Sequence, residues 1–253
     1  MNWFIPSALN RSFTRRASLR FLGGTLLAVA GCQRRAAVSQ ESWSAIAQVP
    51  VTAACVVRPS QTEGPFFVDQ RLNRSDIRSS TDGKLQTGTP LRLRFQVSHL
   101  NQTACVPLPG AIVDVWHCNA EGVYSDVEAL RSGSRSTSDS GFLRGYQETA
   151  ADGTAEFLTI YPGWYPGRAV HIHFKIRTSA QSEQVYEFTS QLYFDDALTD
   201  QVHAQPPYNQ RGQGAIRNTE DGIFARGGSE LLLAVTPADA GYAATFEIAL
   251  QFT

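Results

Sequence analysis

Residues 165–176 read Tyr165-Pro-Gly-Arg168-Ala-Val170-His171-Ile-His173-Phe174-Lys-Ile176. At period two, Val170, Ile172, Phe174 and Ile176 make one apolar face, the pattern of a half-buried strand. The same alternation sends His171 and His173 together to the other face. Two imidazoles at i and i+2 form half of a metal site. Tyr165, just upstream, and Tyr124, in Gly122-Val-Tyr124-Ser, are oxygen donors that would complete it. The competing reading is a pair of surface histidines on the polar face of an edge strand, beside Lys175 and Arg177.

Working outward from this strand, the body shows more short alternating runs separated by turn residues. Leu91, Leu93, Phe95 and Val97 alternate with polar residues, and Gly110–Trp116 and Ala155–Ile160 read as further strands. Val185–Phe194 and Leu231–Val235 follow the histidine strand, and a last one places Phe246, Ile248, Leu250 and Phe252 on one face. No segment has sustained helical periodicity. The pattern predicts an all-β, antiparallel β-sandwich as a single domain from residue 52 to 253. The turn-rich stretches 118–150 and 195–228 are then the loops that build a site on it.

The chain has 253 residues, 42% of them hydrophobic, enough for a sizeable core. A net charge of −1 gives no electrostatic reason to expect nucleic acid. The charge is unevenly placed. Residues 1–31 hold Arg11, Arg15, Arg16 and Arg20 and no acid, which leaves 18 basic against 23 acidic residues in the rest. Thr14-Arg-Arg-Ala-Ser-Leu-Arg-Phe21 carries the twin arginine of a bacterial export signal. The apolar run after it, to Gly31, is too short to span a bilayer. It ends in Val29-Ala-Gly-Cys32, which resembles a lipoprotein processing box with Cys32 as the lipidated residue. Residues 1–31 are therefore read as a twin-arginine lipoprotein signal peptide and residues 32–51 as a tether. An ordinary buried helix with an incidental cysteine is the alternative. The protein is expected to be exported, to the periplasm or outer surface, and to touch membrane only through that anchor.

Three further cysteines remain, Cys55, Cys105 and Cys118. Cys105 and Cys118 flank a predicted strand whose extended length keeps them apart. Cys55 with Cys105 and Cys55 with Cys118 both stay open, in a compartment that permits disulfides.

The run Cys105-x-Pro-Leu-Pro-Gly-Ala-x-Val-Asp-Val-Trp-His-Cys-Asn-Ala-Glu-Gly-Val-Tyr124-Ser resembles the first half of an intradiol ring-cleavage dioxygenase core. Phe142-Leu-Arg-Gly-Tyr-Gln147, Asp152-Gly, Thr159-Ile-Tyr-Pro-Gly-Trp-Tyr165, Arg168, His171-Ile-His173 and Gln191-Leu-Tyr-Phe194 resemble the rest, in order. The likeness is to the protocatechuate 3,4-dioxygenase type and its exported single-chain relatives. The catechol 1,2-dioxygenase branch has an extra helical N-terminal region without counterpart here.

The resemblance implies that the sandwich is of prealbumin-like kind. It also implies a non-haem Fe(III) held by Tyr124, Tyr165, His171 and His173, with Tyr165 axial opposite His171. Phenolates are hard oxygen donors that favour a trivalent ion. It implies Arg168 beside the iron as a fixed cation, Gln191 near the substrate, and Gly64 and Pro65, in Thr62-Glu-Gly-Pro-Phe66, at the cavity mouth. Tyr161 stands too early in the motif and is read as packing. His99 and His117 are read as structural. The implied partners are a catechol-type substrate and O2, and the product a cis,cis-muconate-type diacid. Only five residues separate Tyr165 from His171, fewer than in the protocatechuate enzymes, which leaves the ring substituents open. The oligomeric state is open too, a homo-oligomer included. Two other classes compete: an aromatic-binding module without turnover, and a zinc hydrolase using His171 and His173.

Overall fold

The structure is a computed structural model that describes residues 55–101, 104–126, 140–178, 186–212 and 214–251. The signal segment, the tether with Cys32, and Phe252 lie outside the described residues. Among the described residues, nine strands form two sheets. In the first, β1 (Pro90–Asn101) pairs with β2 (Ala104–Pro107) and β5 (Thr154–Ile160) along one edge and β9 (Gly241–Leu250) along the other, and β9 carries β8 (Val235–Ala238). The second has the order β4 (Arg144–Glu148), β3 (Ile112–Trp116), β6 (His171–Arg177), β7 (Glu187–Tyr193).

All pairings are antiparallel except β1 with β9, which run parallel from Leu91↔Tyr242 to His99↔Leu250. The all-β sandwich is as expected, with this one parallel seam. The two sheets meet through the apolar faces set by alternation. Leu91, Leu93, Phe95, Phe157, Phe246 and Ile248 face Val113, Val115, Ile172, Phe174, Ile176 and Leu192 in one buried core. Phe95 sits at its centre, with ring centroids 5.3 Å from Phe174 and 6.0 Å from both Phe157 and Phe246.

Several expectations need correction. The histidine strand is not half-buried. Residues 171–176 are buried on both faces, because β6 lies between β3 and β7 and its polar face is roofed by residues 61–69. The edge-strand surface reading of the histidines therefore fails. Stretch 118–150 contains β4, whose Arg-Gly-Tyr-Gln-Glu sequence has no apolar alternation to announce it. Stretch 195–228 contains helix α1 (Asp196–His203), capped by Asp195, whose carboxylate accepts from the N–H groups of Ala197 and Leu198. Eight residues are too few for a visible helical period. The strand expected at Leu231–Val235 is instead a 3-10 turn at Gly228–Leu231 and a single bridge at Leu232, with β8 beginning only at Val235. Leu231 and Leu233 are buried there as packing residues.

Cys55 is bonded to Cys105, which settles the open pairing, and Cys118 is free and buried. The bond ties the start of a strap, residues 55–67, to β2. The strap then crosses between sheets: Ala249 N–H donates to Val56 O, and Gln61 N–H to Thr189 O. Closing 50 residues of chain, the disulfide is expected to contribute about 2–4 kcal/mol. The Cys55→Ser/Cys105→Ser protein should show a lower denaturant midpoint by that amount, and an unchanged midpoint would show that the strap holds without it.

Candidate metal centre

The site lies on the outer face of the second sheet. Register aligns Arg144, Trp116, His173 and Gln191 in one row across β4, β3, β6 and β7. His171 stands beside Tyr193 in the next row towards the loops. The Trp116 ring stacks on His173, with centroids 5.0 Å apart and planes within 8°. On the roofing side, a Cβ added to Gly64 would sit 3.4 Å from His173 Cε1, so the strap passes directly over that ring. Pro65, next in the chain, is exposed.

Two turns deliver the tyrosines. Tyr165-Pro-Gly-Arg168 is a tight turn with Gly167 at φ +84°, the left-handed position that a Pro-Gly pair serves. It brings the Tyr165 phenol and the Arg168 guanidinium together, 3.5 Å apart. Tyr124 follows Gly122, where φ is +74° and a Cβ would overlap the Trp164 carbonyl oxygen. Only glycine lets the 119–123 turn close onto Trp164, and that contact sets Tyr124 beside Tyr165, centroids 5.7 Å apart.

The donor atoms converge. His171 Nδ1 is 2.6 Å from Ala169 O, so Nδ1 carries the proton and Nε2 the lone pair. His171 Nε2 lies 3.0 Å from His173 Nε2 and 3.1 Å from the Tyr165 hydroxyl. Two nitrogens each about 2.1 Å from one ion, at a right angle, stand about 3.0 Å apart. The Tyr124 hydroxyl is buried without a hydrogen-bond partner. Burial pushes the Tyr165 phenol up to about 12 and Tyr124 well above its ordinary value. It holds His171 down to about 3 and His173 well below its usual range. The imidazoles are therefore neutral, as ligation requires. The phenols stay protonated until a cation reverses the local balance. Among the described residues no group of three or more His, Cys, Asp or Glu side chains could hold a metal ion. The partners available to the histidine pair are phenols, and this donor set suits a hard trivalent ion.

Arg168 is held on two sides. Its Nε donates to Asp221 Oδ2 at 2.9 Å and its Nη2 to Gln191 Oε1 at 2.5 Å, which leaves Nη1 towards Tyr165 and His171 Nε2, at 3.5 and 3.4 Å. Both ends of the Gln191 amide have partners: Oε1 also lies 3.1 Å from the Tyr193 hydroxyl, and Nε2 donates to Thr62 O at 2.8 Å. Phe66 of the strap stacks on Tyr124, centroids 4.4 Å apart, and meets Tyr165 edge-on. Tyr161 is a packing residue, its hydroxyl on Thr199 Oγ1 at 2.7 Å. His117 is structural, with Nε2 on Thr159 Oγ1 and Nδ1 on Cys118 O.

Asp221, Tyr193, Trp116 and Phe66 have parts in this arrangement that the sequence alone does not assign. Trp116 and Tyr193 lie inside the resembling motifs, but their place beside the histidines depends on strand register.

A family model described as "Dioxygenase" matches residues 62–221, a span that holds all four donors. The chain belongs to the intradiol ring-cleavage dioxygenase family. It is 28% identical over 178 residues to catechol 1,2-dioxygenase 1 of Acinetobacter lwoffii, covering 62% of this chain and 55% of that protein. Against chlorocatechol 1,2-dioxygenase of Rhodococcus opacus it is 30% identical over 166 residues, 54% of this chain and 56% of that protein. The chain thus spans about half the length of these curated relatives. Among solved structures, an intradiol ring-cleavage dioxygenase from Tetranychus urticae superposes with TM-score 0.66 at 29% identity, covering 78% of this chain and 95% of that one. The dioxygenase domain of a carbohydrate-binding fusion from Streptomyces sp. SirexAA-E gives 0.54 at 31%, covering 78% of this chain and all of that domain. The leaning towards the protocatechuate type gains no support from these names.

Buried imidazoles, foremost His117, His171 and His173 and also His203, make the metal-free protein acid-sensitive. Burial lowers His117 to about 4 and His171 to about 3, and holds His173 lower than usual. Each binds a proton less readily folded than unfolded. The stability they confer is complete above about pH 6.5 and is lost as pH falls through their folded values. From His117 alone the loss should reach roughly 3 kcal/mol. Urea midpoints of metal-free protein should fall steadily from about pH 6.5 to about pH 4; a flat profile would contradict the neutral, buried assignment.

Proposed function

We propose that this dioxygenase binds ferric iron and uses O2 to open a catechol-type ring between its two hydroxyl-bearing carbons, giving a cis,cis-muconate-type diacid. The observation that carries the reading is the meeting of two imidazole nitrogens with two phenols, one buried and one half-buried, within a matching family span. Tyr124, Tyr165, His171 and His173 would hold the ion. When bound, ferric iron draws electron density from a catecholate and opens a ring carbon to dioxygen.

The chain's own residues supply the rest. Tyr165 Oη, in the less buried of the two phenols, is placed to take up one of the two protons that a catechol gives up. Arg168 Nη1 directs a fixed N–H at the side where negative charge collects on the ring. Gln191 holds Arg168 and the strap together through its amide. Phe66 and Gly64 offer an apolar wall that packs a planar ring and excludes water.

Iron-loaded protein should be red to burgundy and should consume O2 with catechol, protocatechuate or hydroxyquinol, the rates ranking the ring substituents. Tyr165→Phe should bleach part of the colour and slow substrate binding; an unchanged spectrum and unchanged kinetics would remove its role. A coloured protein without O2 uptake would favour the binding module, and a colourless active one a zinc hydrolase. Export and anchoring through Cys32 belong to the same proposal, supported by the order of twin arginine, apolar run and cysteine, and by a disulfide suited to an oxidising compartment. Lipid label retained by the Cys32→Ser protein would remove the anchor.

A further inference from the structure

We propose that Asp221 is a positioning residue for the reaction: it sets the direction of the Arg168 guanidinium and pins the turn that carries it. The proposal rests on the reading of Arg168 given above. Asp221 lies 50 residues beyond His171 in the chain, yet its side chain is 1% exposed and lies against the site. Oδ1 accepts from the N–H groups of Ile223 and Phe224, at 2.7 and 3.3 Å, which locks the carboxylate to its own loop. Oδ2 accepts from Arg168 Nε and from Ala169 N–H, both at 2.9 Å.

Each of these two bonds does something definite. A guanidinium is a rigid planar fork. Holding Nε through Asp221 and Nη2 through Gln191 leaves Nη1 one direction, towards Tyr165 and His171. With Asp221 removed, the fork is held only at Nη2, by Gln191 Oε1 and by a longer contact to the Tyr193 hydroxyl at 3.5 Å, and can swing about that end. The second bond holds the Ala169 peptide from its N–H side, while the carbonyl of Ala169 itself accepts from His171 Nδ1. The bond from His171 to the Ala169 carbonyl does not itself involve Asp221, so the donor set stays in place when Asp221 is changed. Pairing an arginine with a buried aspartate lowers the net positive charge delivered to the site. The gain is therefore in orientation, not in charge.

Asparagine must turn its N–H₂ towards one pair of donors. Facing Arg168 Nε and Ala169 N–H it loses both of those bonds, and facing Ile223 and Phe224 it loses its hold on its own loop. Either way the link between loop and guanidinium is broken. In the iron-loaded full chain, Asp221→Asn should lower kcat about 10- to 100-fold, the scale of a misplaced reacting group, with KM within about threefold and kcat carrying the loss. Arg168→Ala should cost about 100- to 1,000-fold. The double variant should be no slower than Arg168→Ala, since the two side chains act as one unit. Iron content and the tyrosinate charge-transfer band should match wild type in Asp221→Asn, which separates misdirection of Arg168 from loss of the ion.

Losses that multiply in the double variant overturn the proposal, as does wild-type kcat in Asp221→Asn. Wild-type kcat in Arg168→Ala overturns the reading of Arg168 itself, and is a distinct result. If Asp221→Asn does not fold, Arg168→Lys carries the test with Asp221 intact. It keeps the charge and loses the fork, and should be as slow as Arg168→Ala. Full activity there would show that charge suffices and would overturn the proposal.

Discussion

His173→Phe protein is expected to purify without iron and without colour, and to turn over no catechol, while its metal-free form stays as stable as wild type or more so. Phenylalanine keeps a flat ring against Trp116 and deletes both nitrogens. Nε2 is one of the converging donors, and its loss should cost more than the roughly 10- to 100-fold in metal affinity typical of removing a group that merely supports a ligand. Nδ1 is buried without a hydrogen-bond partner, a cost of about 1–3 kcal/mol that the substitution relieves. The two effects have opposite signs, so a general loss of folding cannot imitate them. Metal analysis and a urea midpoint on the same preparation decide the matter; retained iron with normal turnover would remove His173 from the donor set.

Phe95→Ala is expected to lower the stability of the folded body by about 3–5 kcal/mol, the usual cost of emptying a buried aromatic site. Phe95 is fully buried and touches rings from both sheets: Phe157 beside it, Phe246 across the parallel seam, and Phe174 from the histidine strand. Few neighbours can move to fill the space, because each is fixed by its own strand. Set against a typical total of about 5–15 kcal/mol, such a loss leaves little margin at 37 °C. Phe174 immediately follows His173, so iron affinity should weaken as well. A midpoint shift corresponding to less than about 1 kcal/mol would mean that the sheets close onto one another, contrary to the packing described.

His173 and Phe95 both sit on strands that their own residues announce. Alternation in β1, β5, β6 and β9 exposes the apolar faces, because those strands bury one face against the other sheet and obey a period of two. The pairing of Tyr124 and Tyr165 with the histidines is visible as an ordered motif. β4 is hidden because its side chains are polar and it works on the site face. The burial of that face is hidden because its cover, residues 61–69, has no pattern of its own. Leu231–Leu233 imitates a strand, since packing residues beside an irregular segment also alternate in and out. Asp221 cannot be found from its neighbours at all. Nothing local marks it, and its contacts span 52 and 53 residues.

The strap has an effect on neighbouring molecules as well as on the site. β7 ends its sheet, and an uncovered outer strand invites a second chain to add itself by backbone pairing. Here Gln61 occupies the Thr189 carbonyl, Pro59 accepts from the Ser190 hydroxyl, and Leu233 N–H takes the Tyr193 carbonyl at the other end. One segment, fastened at Cys55, therefore both shelters the histidines and denies that margin to aggregation. A reductant strong enough to free it should turn a solution that is clear when oxidised turbid on warming.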